Sequence, residues 1–175
     1  AERTLPLAGA ANFRDIGGYT TRDGKRLRWG RVYRSGQLSN LTEDDHRYLS
    51  RIGIRLVCDL RADEEVAEEP DNLPENVTYA HLPLATEDDV SRGRRLRAIL
   101  FNRHRLPDVM REVYTRIIID GNGPLVGNIM RRLAHPENLP SIIHCTAGKD
   151  RAGVTAALVM LALGVPEETV IADYT

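Results

Sequence analysis

The chain has 175 residues, of which 42% are hydrophobic and 28% are charged, a balance typical of a folded globular protein. Its formal net charge of −1 provides no global field that would attract nucleic acid, so we expect no nucleic-acid partner. No apolar run approaches the ~18 residues that a transmembrane segment requires, and two cysteines are too few for a disulfide framework. We recognise no signal peptide and expect one domain over residues 1–175, most simply in the cytoplasm, with secretion as the alternative.

The first half of the chain predicts short strands and helices in alternation. Residues 12–30 are rich in glycine and charge and are expected to form irregular or hairpin structure, followed by a short strand at 31–35. Thr42 suits a helix N-cap ahead of three acidic residues, and Gly53 suits the end of that helix. The apolar run at 54–60 predicts a buried strand.

The alternation continues after this strand. An acidic helix is expected at 62–69, ended by Pro70, and a strand at 77–82. Apolar residues recur at helical spacing within 106–119, and a second helix is expected at 122–134. This order predicts an α/β fold with a central, mostly parallel sheet flanked by helices, in which ligands bind at the carboxyl ends of the strands.

The segment HCTAGKDRAGV, residues 144–154, joins a predicted strand at 141–144 to an alanine- and leucine-rich helix that Gly164 ends. Cys145 therefore lies at a strand end and Arg151 near a helix start. The tight loop between them directs backbone N–H groups toward one point at a helix N-terminus, which makes a phosphate-sized anion site. A thiol at its base would have a lowered pKa, and the arginine can hold two phosphoryl oxygens. The pattern predicts attack of a thiolate on phosphorus through a phosphocysteine intermediate.

The loop residues are expected to bind the substrate phosphate: Thr146, Ala147, Gly148, Lys149, Asp150 and Arg151. The Lys149 cation would favour a substrate with more than one phosphate. Asp150 suits either a cap on the following helix or a proton donor, and the sequence does not choose between them. A Walker nucleotide loop is excluded because Ile143 stands where its first glycine belongs. Sulfur transfer and arsenate reduction also use a cysteine in an anion loop and remain alternatives.

A phosphatase also needs an acid that protonates the leaving oxygen. The segment ATEDDVSRG, residues 85–93, follows a predicted strand and contains three carboxylates. We expect Asp88 to be this acid, with Glu87, Asp89 and Asp150 as alternatives.

Four segments together resemble the bacterial atypical protein-tyrosine phosphatases. The loop is similar to the family's HCxxGKDRTG motif. The segment NFRDIGG, residues 12–18, is similar to the family's NFRD-x-GG segment, and CDLRADEE, residues 58–65, is similar to its DLR-x-x-x-E motif. The stretch RVYRSGQLSNLT, residues 31–42, also agrees. The resemblance implies a cysteine-phosphatase fold and metal-independent hydrolysis of phosphomonoesters without a cofactor. The implied substrates are phosphotyrosine, phosphoserine/threonine or phosphoinositides.

The resemblance also implies roles for residues that spacing alone does not explain. It places Arg14 and Asp15 near the phosphate loop as supports, and it implies a catalytic part for Asp150. It implies further helix beyond Thr175, so we expect the chain to be truncated at its C-terminus. Ala152 departs from the family, which has threonine there, and a pseudophosphatase that only binds phosphorylated partners is therefore the alternative. The sequence does not predict an oligomeric state.

Overall fold

The computed structural model describes residues 3–5, 7–84 and 122–174. The strands are β1 (Arg14–Asp15), β2 (Val32–Ser35), β3 (Leu56–Asp59), β4 (Thr78–His81) and β5 (Ser141–His144). The helices are α1 (Glu43–Ile52), α2 (Asp63–Glu68), α3 (Gly123–Ala134), α4 (Arg151–Ala162) and α5 (Glu167–Tyr174), with a 3-10 turn at Pro136–Asn138. No helix within these ranges is both long and apolar enough to cross a membrane.

The five strands form one sheet in the order β1-β2-β5-β3-β4. Only β1 is antiparallel to its neighbour, so the expectation of a mostly parallel sheet flanked by helices is confirmed. Ser35 of β2 and Asp59 of β3 both pair with His144 of β5. Three strands therefore end at one level, and residue 145 follows the central one.

Helices cover both faces of the sheet, which explains why every residue of β3 and β5 is buried. On one face Cys58 and Ile143 pack with side chains from α3, α4 and α5. On the other face Val57 and Ile142 pack with α1, including Leu49. Burial raises the pKa of the Cys58 thiol to about 12, so this cysteine is a core residue.

Local sequence rules account for the ends of α1. The Thr42 hydroxyl accepts a hydrogen bond from the Asp45 amide at 3.2 Å, and the Asp45 carboxylate accepts one from the Thr42 amide at 2.9 Å. Gly53 ends the helix at φ 74°, the left-handed region that glycine favours. Asp45 also accepts the amides of Ala8 and Gly9, a tie to the N-terminal segment that the sequence did not predict. The helix expected at 106–119 lies outside the described residues.

Candidate active site

The sheet brings the predicted nucleophile and the predicted phosphate-binding arginine into one loop. Cys145 follows β5, with 2% of its surface exposed, and Arg151 is the first residue of α4. The loop residues between them lie at the carboxyl end of the central strand, where parallel sheets bind ligands.

Gly148 lets this loop lie against the end of β2. Its φ is +68°, and a Cβ atom built on it would stand 2.6 Å from the Ser35 carbonyl oxygen. Any side chain there would both strain the backbone and collide with β2. The glycine is therefore required by the close approach of two backbones.

Three successive loop carbonyls accept hydrogen bonds from groups outside the loop. The donors are the Gln37 amide to Thr146 (3.0 Å), Asn12 Nδ2 to Ala147 (3.1 Å) and Arg34 Nη2 to Gly148 (3.1 Å). Because C=O and N–H point in opposite directions within a trans peptide, the amides of the following residues point the other way. The N–H groups of Ala147, Gly148 and Lys149 donate to no acceptor in the described parts of the chain. They form a backbone nest that suits an anion.

Arg34 of β2 is a main support of this nest and was not singled out from the sequence. Only 1% of it is exposed, and its guanidinium contacts the carbonyls of Gly148 and Lys149 while pairing with Asp173 at 3.2 Å. Burial lowers the pKa of Arg34, and the Arg14 charge lowers it further. The neighbouring carboxylate of Asp173 opposes this shift, so the buried guanidinium has a counter-charge.

Arg151 is held by Glu65 of α2 in a two-point ion pair. The distances are 2.6 Å from Nη1 to Oε2 and 2.8 Å from Nη2 to Oε1. Nη1 also donates to the Leu60 carbonyl and Nη2 to Thr146 Oγ1, whose hydroxyl in turn contacts Glu65. Within the described residues Arg151 Nε has no hydrogen-bond partner. A phosphate can therefore use two donors of Arg151, the Nε–H and the Nη2–H that donates to Thr146.

The electrostatics of this pair follow from the contacts. Hydrogen bonds from Arg151 lower the pKa of Glu65 to about 2, against the opposing effect of burial. Burial would lower the pKa of Arg151, but the Glu65 hydrogen bonds and the charges of Cys145 and Glu65 raise it. Both groups are therefore ionised across the whole working pH range of an enzyme. Glu65 ends the CDLRADEE segment, and that motif was the signal that could have identified it.

A buried polar cluster lies behind the nucleophile strand. Arg61 Nη2 is 2.7 Å from Asp59 and 2.8 Å from Asp71, and His144 Nε2 is 2.9 Å from Asp71 Oδ2. Asp59, Asp71 and His144 are close enough together to offer three ligands to a metal. The Arg61 guanidinium pairs with both carboxylates, and Asp71 also contacts His144, so we assign an ion-pair network that fixes the residue before Cys145.

Of the two expected supporting residues, Arg14 lies beside the loop. Its guanidinium donates to Asn12 Oδ1 at 3.3 Å, and Asn12 in turn holds the Ala147 carbonyl. The Asp15 carboxylate instead accepts the amides of Gly17 and Gly30 at 2.7 and 2.6 Å. Any support of the loop by Asp15 would therefore pass through β1.

The remaining predicted site residues divide into two groups. Lys149 and Asp150 are exposed at the loop mouth, and the Lys149 ammonium forms no ion pair with a described residue. Asp150 makes no side-chain cap on α4, so the capping alternative was wrong, and its carboxylate accepts the Tyr174 hydroxyl at 3.4 Å. Glu87, Asp88 and Asp89 lie outside the described residues, and the identity of the acid stays a prediction.

Comparison with known proteins agrees with this geometry. A family model described as the tyrosine phosphatase family matches residues 5–175. The triple specificity protein phosphatase PtpB of Mycobacterium tuberculosis is 32% identical over 194 residues, covering 99% of this chain and 68% of that protein. A tyrosine-protein phosphatase of Nostoc commune is 28% identical over 143 residues, covering 81% of this chain and 46% of its own length. The chain thus spans about half to two thirds of these curated relatives.

A solved structure shares this fold. It is P. aeruginosa TpbA, in a cysteine-to-serine variant complexed with pTyr, with a TM-score of 0.50 and 16% identity. The match covers 96% of this chain and 78% of that structure. At this identity the similarity shows the fold alone.

Proposed function

We propose that this chain, which belongs to the tyrosine phosphatase family, is a cysteine-dependent phosphatase. Its loop hydrolyses phosphate monoesters on protein tyrosine, on serine or threonine, or on phosphoinositides. The observation that carries this proposal is the set of three loop N–H groups after Cys145 that donate to no described acceptor, with Arg151 of the same loop held by Glu65. Such a nest binds the charge that develops on phosphoryl oxygens.

The chemistry follows from this arrangement. The phosphate dianion binds to the loop amides and to Arg151, and the Cys145 thiolate attacks phosphorus from the side opposite the leaving oxygen. The S–P bond forms as the P–O bond to the leaving group breaks, and an acid gives that oxygen its proton. Water then attacks phosphorus and gives a proton to the conjugate base of that acid. The S–P bond breaks, inorganic phosphate is released and the Cys145 thiolate is regenerated. We propose Asp88 as the acid, with Glu87, Asp89 and the exposed Asp150 of the loop as the alternatives.

The substrate class is the finer part of the proposal. The relative from M. tuberculosis is named for triple specificity, which supports a range wider than phosphotyrosine alone. The exposed Lys149 ammonium beside the nest supports a substrate that carries a second phosphate. A pseudophosphatase is not favoured, because the thiol and the paired arginine of a catalytic loop are both present.

Two further expectations stay proposals. We propose that residues 1–175 form a single catalytic domain, which a protease-resistant fragment of this length would test. We also propose a reducing compartment, most simply the cytoplasm, since a thiolate nucleophile is susceptible to oxidation. Fractionation of the producing cell tests the location, with secretion as the competing result.

The decisive experiment is hydrolysis of a small aryl phosphate in the presence of EDTA, with and without vanadate. We expect metal-free turnover that vanadate blocks. Cys145→Ser should abolish it, because a serine hydroxyl stays protonated near pH 7, while the variant still binds phosphate analogues. The matched control is Cys58→Ala, which alters the other cysteine in the core and should retain activity. Turnover of Cys145→Ser within tenfold of the parent would overturn the mechanism.

A further inference from the structure

A cavity of about 500 Å³ opens at the end of the sheet opposite the phosphate loop. Val32 at the start of β2 and Leu139 just before β5 line it, as do Val159 and Leu163 near the end of α4. No residue of the loop 145–151 is part of its wall. Since α4 begins at Arg151 and rises about 1.5 Å per residue, the cavity lies roughly 17 Å from the phosphate site.

The interior of this cavity is apolar. Its wall includes Ile16, Leu27, Met130 and Leu133 in addition to the strand and helix ends. Its volume falls within the range of pockets that bind small organic ligands. Met130 is half-buried, and its flexible thioether can adjust to the shape of an occupant. An apolar chain is therefore the part of a ligand that this interior suits.

The described lining of the cavity is also positively charged. Four cations line it: Lys25, Arg26, Arg28 and Arg31. Within the described part of the chain the lining contains one acid, Asp23, and its carboxylate is paired with Lys25 at 2.7 Å. The three arginines are exposed, and none of them forms an ion pair with any residue in the described ranges. Their guanidinium groups are thus available to an external anion.

We propose that this cavity binds a small amphipathic anion, a single apolar chain that ends in a carboxylate or a phosphate. The apolar wall takes the chain, and the arginines hold the head group, because guanidinium pairs with planar carboxylates and with phosphate through two parallel hydrogen bonds. Among the described residues, the lining contains no aromatic side chain on which a nucleotide base would stack. The proposal does not depend on the phosphatase activity, since the two sites share no residue.

Titration calorimetry with octanoate, decanoate and dodecanoate, each below its micelle concentration, tests the apolar part of the site. We expect one molecule bound per chain, with an affinity that rises about fourfold for each buried methylene. Decyl phosphonate, which the enzyme cannot hydrolyse, distinguishes phosphate-type from carboxylate head groups by its affinity relative to decanoate. Decanol, which lacks the charge, should bind at least tenfold more weakly than decanoate. Saturating vanadate should change none of these affinities.

Variants locate the binding. Arg28→Ala should weaken decanoate binding about tenfold or more, because a hydrogen-bonded ion contact is lost. Ala162→Phe, which adds a ring to an exposed position of the wall, should weaken it similarly. The matched control is Arg22→Ala, an exposed arginine of the same hairpin that is not in the wall. Melting temperatures establish that each variant is folded. If one of the variants of the wall is not folded, Arg31→Ala replaces it.

Several results would overturn the proposal. They are the absence of saturable decanoate binding below the micelle concentration, displacement of decanoate by vanadate, and equal losses of decanoate affinity in Arg22→Ala and Arg28→Ala. Sedimentation that shows a dimer abolished by Ala162→Phe would assign the cavity to a protein interface instead.

Discussion

Replacement of Glu65 by glutamine tests whether the position of Arg151 limits catalysis. The glutamine amide can accept only one of the two hydrogen bonds from the guanidinium and directs an NH₂ group at the other. The side chain of Arg151 is 13% exposed and would then lose its fixed orientation toward the nest. We expect the aryl phosphatase kcat to fall about 10- to 100-fold, since hydrogen bonds to charged groups contribute roughly 1.5–3 kcal/mol.

The stability effect of the same change follows from the Glu65 pKa of about 2, well below its ordinary value of 4.5. A shift of this size corresponds to about 3 kcal/mol in a fully buried pair. One third of the Glu65 side chain is exposed, so solvent screening reduces the contribution to about 1–2 kcal/mol. A depressed pKa stabilises the fold above pH 4.5, and this contribution is lost as the pH falls toward 2.

Denaturant unfolding and steady-state kinetics of the parent, Glu65→Gln and Glu64→Gln measure both effects. Glu64 is the exposed neighbour on α2 and is the matched control. We expect the stability difference between the parent and Glu65→Gln to be constant above about pH 5.5 and to narrow below pH 4.5. If Glu65→Gln kept its kcat within twofold of the Glu64→Gln control, the ion pair would not position Arg151 for catalysis.

Three other predictions concern the loop itself. Lys149→Ala should reduce hydrolysis of a phosphoinositide about 10- to 150-fold more than hydrolysis of an aryl phosphate, because a charged contact to a second phosphate is lost; equal losses on the two substrates would contradict this role. Gly148→Ala should abolish turnover, since its Cβ would meet Ser35, and phosphate binding by calorimetry should be lost with it. Ala152 is fully buried and supplies no hydroxyl to the sulfur, while the hydroxyl of Thr155 donates to the Arg151 carbonyl at 2.9 Å and that of Thr146 contacts Glu65. Hydrolysis of phosphocysteine should therefore limit turnover, and rapid-mixing kinetics should show a burst of leaving group. Ala152→Thr, or the smaller replacement Ala152→Ser, should raise steady-state turnover about tenfold and diminish the burst. A parent without a burst, together with no gain from either variant, would refute this.

Local rules were enough to predict much of the catalytic loop from the sequence. Cys145, Gly148 and Arg151 lie within seven residues, and a strand end followed by a helix start defines their relation almost independently of the rest of the chain. The capping of α1 by Thr42 and its end at Gly53 were predictable for the same reason, because such caps involve backbone groups only a few residues away.

Contacts between distant segments were decided by the tertiary structure. Glu65 meets Arg151 across 86 positions, and Arg34 meets the Gly148 carbonyl across 114. Strands β2 and β3 flank β5 in the sheet. The sequence could not predict these neighbours, because periodicity reports burial but not strand order. The capping interpretation of Asp150 was wrong because its backbone is in the helical region, at φ −79° and ψ −74°, whereas a capping residue is typically extended. The sequence alone therefore determined the reactive loop, while the side chains that aim its amides and its arginine depended on how the sheet brings β2 and α2 to it.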